Sequence, residues 1–332
     1  MKITLSDLLQ VKNLYTSFNT EDGVVPAVNG ISFNLKHGES LGIVGESGCG
    51  KSVACLSIMR LIGHPGKVEA DEIKLDGTEL QALSEKKMRS MRGNDMAFIF
   101  QEPMTSLNPV YTIGFQLQEA IQLHQGLNKE QSQHKSIEML EMVGIPRAEK
   151  VFSEYPHSLS GGMRQRAMIA MALSCEPKIL FADEPTTALD VTIQAQILEL
   201  MTDLRQRINT SIIFISHDLG VISEMVDRVI VMYCGIIIED TDVRTLIKNP
   251  RHPYTIGLIN SKPRIDVELE RLEPISGSVP NPLNMPSGCP YHPRCESAME
   301  ICREKLPENH EIKDGHRVCC WLFSELGGKI KS

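Results

Sequence analysis

A glycine-rich loop at residues 45–52 carries the residue types that bind phosphate groups. Its sequence follows an apolar run, Leu41-Gly42-Ile43-Val44, and reads Gly45-Glu46-Ser47-Gly48-Cys49-Gly50-Lys51-Ser52. Glycines let backbone N–H groups turn toward phosphate oxygens, and the helix predicted to follow adds partial positive charge. Lys51 can reach the β- and γ-phosphates, and the Ser52 hydroxyl can ligate Mg²⁺. The loop therefore predicts a nucleoside triphosphate and Mg²⁺ as ligands.

Two carboxylates follow a second apolar run, Ile179–Ala182, at the point where a strand is predicted to end. In a parallel sheet, an acid at this position can lie beside a phosphate loop. We expect Asp183 to hold Mg²⁺, usually through water, and Glu184 to act as a general base on the attacking water.

Two further polar residues also follow predicted strands. Gln101 comes after Ala97–Phe100, and its amide can touch Mg²⁺ and the attacking water without adding charge. His217 comes after Ile212–Ser216, and its imidazole can contact the γ-phosphate and orient the water. Both are therefore catalytic candidates.

A second Ser/Gly-rich stretch lies between the phosphate loop and the acidic strand, and it reads Leu159-Ser160-Gly161-Gly162-Met163. One chain has no obvious need of two phosphate cradles, whereas a nucleotide held between two chains would need one from each. Ser160, Gly161 and Gly162 are therefore predicted to complete the site of a partner chain. Near the amino end, Phe18 could stack on a nucleotide base, with Tyr15 as the competing candidate.

Hydrophobic periodicity predicts the elements that position these residues. Residues 7–35 alternate as short antiparallel strands, whereas the spacing from about residue 105 to 159 is helical. The core resumes with Ile179–Ala182, a long amphipathic helix from about Val191 to Ile208, and another buried strand. Strands that alternate with helices predict an α/β fold with a parallel sheet.

Composition limits the functional classes. The 332 residues carry a formal net charge of −8, which argues against a general nucleic-acid binder. No export signal is apparent, and the most apolar stretch, Val229 to Ile238, is about half the ~20 residues of a membrane helix. We therefore expect a soluble cytoplasmic protein or one attached to a membrane through partners.

The C-terminal region differs in composition from the rest of the chain. Ten of the 18 prolines lie between Pro250 and Pro307. Five of the nine cysteines follow Gly288, namely Cys289, Cys295, Cys302, Cys319 and Cys320. This pattern predicts an appended, loop-rich module with metal chemistry rather than a disulfide scaffold.

These motifs, in this order, resemble the ATP-binding subunits of ABC transporters over nearly the whole chain. The resemblance implies an α/β P-loop NTPase (RecA-like) core with an N-terminal antiparallel β-layer, a helical insertion and a loop-rich C-terminal Cys module. It implies an ATP-binding domain at 1–250, with a helical subdomain at about 105–165, and an extension at 251–332. Leu159–Met163 then matches the family's signature loop, with Met163 where Gln is commonest. Thr186–Asp190 matches the loop that touches the opposite subunit.

The C-terminal region narrows the resemblance to the oligopeptide/dipeptide importer branch, which includes nickel and glutathione importers. The residues that carry it are Arg251-His252-Pro253-Tyr254-Thr255, Gly288-Cys289-Pro290-Tyr291-His292-Pro293-Arg294-Cys295 and Cys320-Trp321. The resemblance implies a 4Fe–4S cluster held by Cys289, Cys295, Cys302 and Cys320. On ligand type alone zinc is an alternative, and Cys319 is an alternative fourth ligand.

The resemblance also implies a function and a set of partners. The chain would be a peripheral ATPase at the cytoplasmic face of the inner or plasma membrane, driving import of di- or oligopeptides. Its partners would be a second ABC ATPase subunit, identical or related, two integral membrane permease subunits and, indirectly, an extracytoplasmic substrate-binding protein. Closure would reach the permeases through the insertion near Gln101 and Met104–Tyr111. The alternatives are a nickel or glutathione importer ATPase, a soluble ABC ATPase of DNA repair or translation, and a redox or metal sensor.

Overall fold

A computed structural model describes residues 7–101, 106–186, 190–261, 275–313 and 315–324. The described residues form two compact units that alternate along the chain. Unit 1 contains Leu35–Ser40 and Leu80–Ile215, and unit 2 contains Leu8–Asn34, Leu41–Glu79 and the residues from Ser216 onward.

The strands of the described residues are β1 (Asp7–Thr20), β2 (Gly23–Lys36), β3 (Ser40–Val44), β4 (Gly66–Glu69), β5 (Glu72–Leu75), β6 (Thr78–Glu79), β7 (Met96–Ile99), β8 (Ile179–Asp183), β9 (Ser211–Ser216), β10 (Arg228–Tyr233), β11 (Ile236–Asp242), β12 (Asn309–Lys313) and β13 (His316–Cys319).

The α-helices are α1 (Lys51–Ile58), α2 (Glu85–Met91), α3 (Ile113–Gln125), α4 (Lys129–Met142), α5 (Ala148–Phe152), α6 (Gly161–Leu173), α7 (Val191–Ile208), α8 (Leu219–Ile222), α9 (Val243–Lys248), α10 (Pro253–Asn260) and α11 (Ile301–Glu304). Within the described ranges, no helix combines the length and the apolar composition that crossing a bilayer requires.

Unit 1 is built on the parallel strands β7, β8 and β9. Ile99 of β7 is in register with Ala182 of β8, and Asp183 is in register with Ile215 of β9. Every residue of β8 and β9 is buried, as in a parallel sheet that is covered on both faces. The carboxyl ends of these strands therefore meet at one edge of the sheet.

Most of the described helices of unit 1 begin at side-chain caps. Thr112 caps α3, and Asn128 caps α4 in a reciprocal arrangement with Gln131. Asp190 caps the long helix α7, which buries Ile197, Leu198, Met201 and Leu204 on one face. The predicted helical insertion is therefore confirmed as a set of consecutive helices, of which α5 alone, among the described ones, begins without a side-chain cap.

Unit 2 contains an antiparallel layer and a second group of strands. In the antiparallel layer the strand order is β2-β1-β5-β6, with β4 also paired to β1, which confirms the predicted N-terminal β-layer. In the second group, β3 lies parallel to β10, and β10, β11, β13 and β12 follow as antiparallel neighbours.

The C-terminal region forms more regular structure than its composition predicts. Val318 in β13 pairs with Glu239 in β11 and is fully buried, and Trp321 just beyond the strand is also buried. The proline-rich segment therefore returns to the sheet and adds two strands to it, because a short polar–apolar alternation suffices to pair with an open strand edge.

Candidate functional site

The phosphate loop joins the buried strand β3 to helix α1 in unit 2. Gly45 has a φ of +154°, and a Cβ atom there would lie 2.2 Å from the carbonyl oxygen of Met232. Gly50 precedes α1 with a φ of +97°, and its Cβ atom would lie 2.2 Å from the carbonyl oxygen of Ala27. Only glycine therefore fits at either end of the loop, and this conformation leaves backbone N–H groups at the start of a helix, which suits an anion.

Lys51 lies inside this loop rather than in solvent. Its ammonium group donates to the carbonyl oxygens of Gly45 at 2.8 Å and Glu46 at 3.0 Å, and the residue is 6% exposed. The loop thus holds a buried positive charge against two neutral acceptors. Phosphate oxygens are stronger partners for such a charge, so the geometry favours an anionic ligand.

The acidic pair lies at the end of β8 in unit 1. Asp183 is the last residue of the strand and is 8% exposed. Glu184 has a φ of +43°, and its backbone N–H donates to the carbonyl oxygen of Ile215 at 3.0 Å. A non-glycine residue in this conformation costs about 1–3 kcal/mol, and such strain clusters at functional sites.

Gln101 contacts Glu184 of this pair. The contact is expected, because β7 and β8 are parallel neighbours and both residues follow the carboxyl ends of these strands. The side-chain Nε2 of Gln101 donates to Oε2 of Glu184 at 2.8 Å, although 83 residues separate the two in sequence. A neutral amide that holds a carboxylate in place is suited to orient a general base. Residues 102–105, which include the start of the predicted coupling segment Met104–Tyr111, lie outside the described residues.

The second Ser/Gly-rich stretch forms the start of helix α6. The Ser160 side chain caps the helix by accepting a hydrogen bond from the backbone N–H of Met163 at 3.3 Å. Gly161 is exposed, and Gly162 packs so that a Cβ atom would lie 3.1 Å from Ile193. The stretch therefore presents a helix amino end at the surface of unit 1. The predicted subunit-contact loop Thr186–Asp190 contains residues 187–189, which lie outside the described residues.

Sequence reasoning assigned no role to one further residue of helix α6. Gln165 is 1% exposed, and its side-chain Nε2 donates to the carbonyl oxygen of Pro185, directly after Glu184. It therefore ties the start of α6 to the acidic end of β8. The available signal was a polar residue on the buried face of α6, where the other buried residues are apolar.

The remaining predicted ATP-site residues lie in unit 2. His217 is exposed and follows β9 directly. Phe18 is half buried opposite Gly66 of β4, whereas Tyr15 is 50% exposed opposite Glu69. The choice between Phe18 and Tyr15 for base stacking stays a prediction, as do the assignments of His217 and Ser52.

The predicted iron–sulfur cluster was wrong. Four of its proposed ligands, Cys289, Cys295, Cys302 and Cys320, do line one small cavity together with His252, Tyr291 and Trp321. Within the described residues, which include all of these cysteines, no group of three or more His, Cys, Asp or Glu side chains is arranged to hold a metal ion. The finding does not support zinc either.

Burial also affects the protonation of the cysteines in this region. Burial raises the pKa of Cys289 to about 11 and the pKa values of Cys319 and Cys320 to about 12. Cys319 also donates its thiol hydrogen to the carbonyl oxygen of Pro307 at 3.0 Å. Burial therefore keeps these three groups in the neutral thiol form near pH 7.

Two family models match the chain. The first is described as ABC transporter and matches residues 28–187, which include the phosphate loop, Gln101, the signature-like stretch and the acidic pair. The second is described as oligopeptide/dipeptide transporter, C-terminal region, and matches residues 238–302.

Curated relatives resemble the chain over nearly its full length. The oligopeptide transport ATP-binding protein AppD of Bacillus subtilis (strain 168) is 52% identical over 98% of this chain and 99% of its own. The dipeptide transport ATP-binding protein DppD of Escherichia coli (strain K12) is 48% identical over 94% of this chain and 96% of its own.

A solved structure of an ATP-binding cassette supports the same fold. It is a dimer in a post-hydrolysis state bound to ADP and Pi, and it superimposes with a TM-score of 0.64 at 26% identity. The match covers 71% of this chain and 99% of that chain.

Proposed function

The chain belongs to the ABC transporter family of ATP-binding proteins, and from this membership we propose that it hydrolyses ATP to drive the import of dipeptides or oligopeptides. One observation carries the proposal: the same chain matches both the ABC transporter family and the C-terminal region of oligopeptide/dipeptide transporters. Full-length relatives near 50% identity are named for oligopeptide and dipeptide transport.

ATP would be bound first by unit 2. The backbone of Gly45–Ser52 and the Lys51 ammonium would hold the phosphates, and the Phe18 ring would stack on adenine. The proposed donors for Mg²⁺ are the Ser52 hydroxyl, the Gln101 amide oxygen and the Asp183 carboxylate. All three offer oxygen atoms, which this hard cation prefers. When bound, Mg²⁺ supplies charge neutralisation at the phosphates.

Hydrolysis would depend on Glu184 as the general base. The hydrogen bond from Gln101 would orient the carboxylate of Glu184 so that it can accept a proton from the attacking water. His217 is proposed to contact the γ-phosphate and keep the water aligned. The strained backbone of Glu184 supports this assignment, because strain of this kind is retained where it serves function.

A second ATPase subunit, identical or related, would complete each site. Ser160, Gly161 and Gly162 at the exposed start of α6 would bind the nucleotide of that partner. The solved cassette with this fold is a dimer, which supports such an arrangement. We propose residues 1–250 as the ATP-binding domain, with its helical subdomain at about 105–165, and residues 251–332 as the extension.

The same proposal places the chain as a peripheral subunit on the cytoplasmic face of the membrane. It would act on two integral membrane permease subunits, and an extracytoplasmic binding protein would deliver the peptide to them. ATP-driven closure of the two ATPase subunits would be passed to the permeases and reversed after hydrolysis.

Uptake by cells tests the substrate class. Cells that depend on this chain for transport would be given a labelled dipeptide, a labelled pentapeptide, nickel and glutathione. Peptide uptake should fall to background with Glu184→Gln and persist with the matched control Glu199→Gln, which alters an exposed carboxylate on α7. If the cells took up nickel or glutathione instead of peptide, the proposed substrate class would be wrong. If no uptake depended on this chain, the proposed role in transport would be wrong.

A further inference from the structure

The C-terminal extension contacts the phosphate loop through a bidentate ion pair. The Arg294 guanidinium donates to both carboxylate oxygens of Glu46, at 2.8 Å from Nη1 and 3.1 Å from Nη2. The two residues are 248 positions apart in sequence, and both belong to unit 2. Glu46 is the second residue of the phosphate loop, so the pair ties the extension directly to the ATP site.

The rest of Glu46 is held as well. Its backbone N–H donates to the hydroxyl of Tyr254 at 2.8 Å, and Tyr254 belongs to helix α10 of the extension. Its carbonyl oxygen accepts from Lys51 at 3.0 Å. The side chain and the N–H group of this loop residue are therefore both bound by the extension, while its carbonyl is bound by the lysine that reaches for phosphate.

Arg294 is also held in position by contacts other than its ion pair with Glu46. Its side chain is 4% exposed, and its Nε donates to the carbonyl oxygen of Ser276 at 2.9 Å. The guanidinium carbon lies 5.9 Å from the ring centroids of both Tyr233 and Tyr291. A guanidinium placed in this way loses little further freedom on pairing, so it can impose a position on its partner.

Tyr254 is packed into the same cluster. Its ring lies 4.7 Å from the ring of Tyr233 and 5.5 Å from the ring of Tyr291, between centroids. Burial raises the pKa of Tyr254 well above its usual range, so the hydroxyl stays neutral. The aromatic cluster thus fixes both groups that hold Glu46.

We infer that Arg294 is a positioning residue for ATP: together with Tyr254 it fixes Glu46, and with it the orientation of the N–H groups and of Lys51 in the phosphate loop. The extension therefore sets the affinity of the site for ATP. This inference rests on the proposed binding of ATP at residues 45–52.

The test uses the full chain and a fluorescent ATP analogue, with binding and hydrolysis measured on the same preparations. Arg294→Lys keeps the positive charge but removes the planar guanidinium group, which donates to both carboxylate oxygens of Glu46. We expect the Kd and the KM for ATP to rise by about tenfold, which corresponds to about 1.4 kcal/mol. The value of kcat at saturating ATP should stay within about twofold, since Glu184 and Gln101 are unchanged. Arg303→Lys, at an exposed arginine of the same extension, is the matched control and should bind like the wild type.

A double-variant cycle separates positioning from general damage to the fold. Because Glu46→Gln removes the other half of the same pair, adding it to Arg294→Lys should raise the Kd by much less than the product of the two single effects. A purely structural role predicts a lower Tm and a smaller fraction of binding-competent protein, with the Kd of that fraction unchanged. That result would overturn the inference. A Kd of the double variant that equals the product of the two single effects would overturn it as well. Failure of the wild-type chain to bind ATP would instead overturn the proposed ATP site.

Discussion

The side-chain amide of Gln101 donates a 2.8 Å hydrogen bond to the carboxylate of Glu184, and this contact joins the ends of the neighbouring parallel strands β7 and β8. The bond links the residue that leads into the helical insertion to the proposed general base. A change in the position of Gln101 would therefore be felt by Glu184, so we expect this hydrogen bond to couple the two residues.

Glu184→Gln should abolish ATP turnover while ATP binding persists. The amide keeps the size of the side chain but cannot accept the proton, and loss of a general base lowers turnover by about 10²–10⁴-fold. Phosphate release and equilibrium ATP binding would be measured on the same protein. Glu199→Gln serves as control, and turnover near the wild-type rate in Glu184→Gln would refute the assignment.

Lys51→Met should abolish ATP binding itself. The Lys51 ammonium donates to the carbonyl oxygens of Gly45 and Glu46, and on ATP binding it would donate to phosphate oxygens instead. Hydrogen bonds from a charged group contribute about 1.5–3 kcal/mol each, so losing two should weaken ATP binding by at least about 100-fold. Calorimetric titration with ATP would measure the loss. Lys67→Met, at an exposed position on β4, should bind normally, and tight binding by Lys51→Met would contradict the phosphate-loop assignment.

Ser160→Ala should separate ATP binding from hydrolysis. The substitution removes the cap of α6, at a cost of about 1 kcal/mol of stability, and also the hydroxyl proposed to meet the partner's nucleotide. We expect unchanged ATP binding by the isolated chain and at least about a tenfold loss of ATPase activity in the assembled pair. Ser84→Ala removes the equivalent cap of α2 and provides the control, because it should cost similar stability and no activity. Equal activity losses in the two variants would show that capping alone explains the effect.

Stability should fall between pH 6.5 and 4 because of His252. Burial lowers the pKa of this imidazole to about 4 in the folded chain, although the nearby Glu239 carboxylate opposes the shift. The unfolded chain takes up a proton near pH 6.5, so acid favours unfolding in this window. The stabilisation that comes from keeping His252 neutral is present in full above about pH 6.5. Up to about 3 kcal/mol of the free energy of unfolding is lost as the pH falls toward 4.

Denaturant titrations at several pH values would measure this dependence. His252→Asn preserves a side chain that can cap α10 and removes the titrating group, so it should flatten the curve between pH 4 and 6.5. His134→Asn, at an exposed histidine, should leave the curve unchanged. A wild-type slope that survives in His252→Asn would assign the acid sensitivity to other groups.

The sequence by itself determined the features that depend on contiguous residues. The phosphate loop at residues 45–52, the acidic pair after β8 and the Ser/Gly stretch before α6 each need a fixed local order. Hydrophobic periodicity also sufficed for the β-layer, the helices and the buried strands, because each repeats the period of its own backbone geometry. Together these features identified the ABC transporter family.

Tertiary structure decided what depends on residues far apart in the chain. The contacts from Gln101 to Glu184 and from Arg294 to Glu46 join positions 83 and 248 residues apart, and no local pattern records which side chains will meet. The same holds for Val318 in β13, which pairs with β11 beyond a proline-rich stretch. The C-terminal cysteines show that a local sequence pattern can also mislead. The family resemblance implied a 4Fe–4S cluster, but whether side chains come together as a metal site depends on the folded surroundings. Within the described residues, these surroundings do not form a metal site.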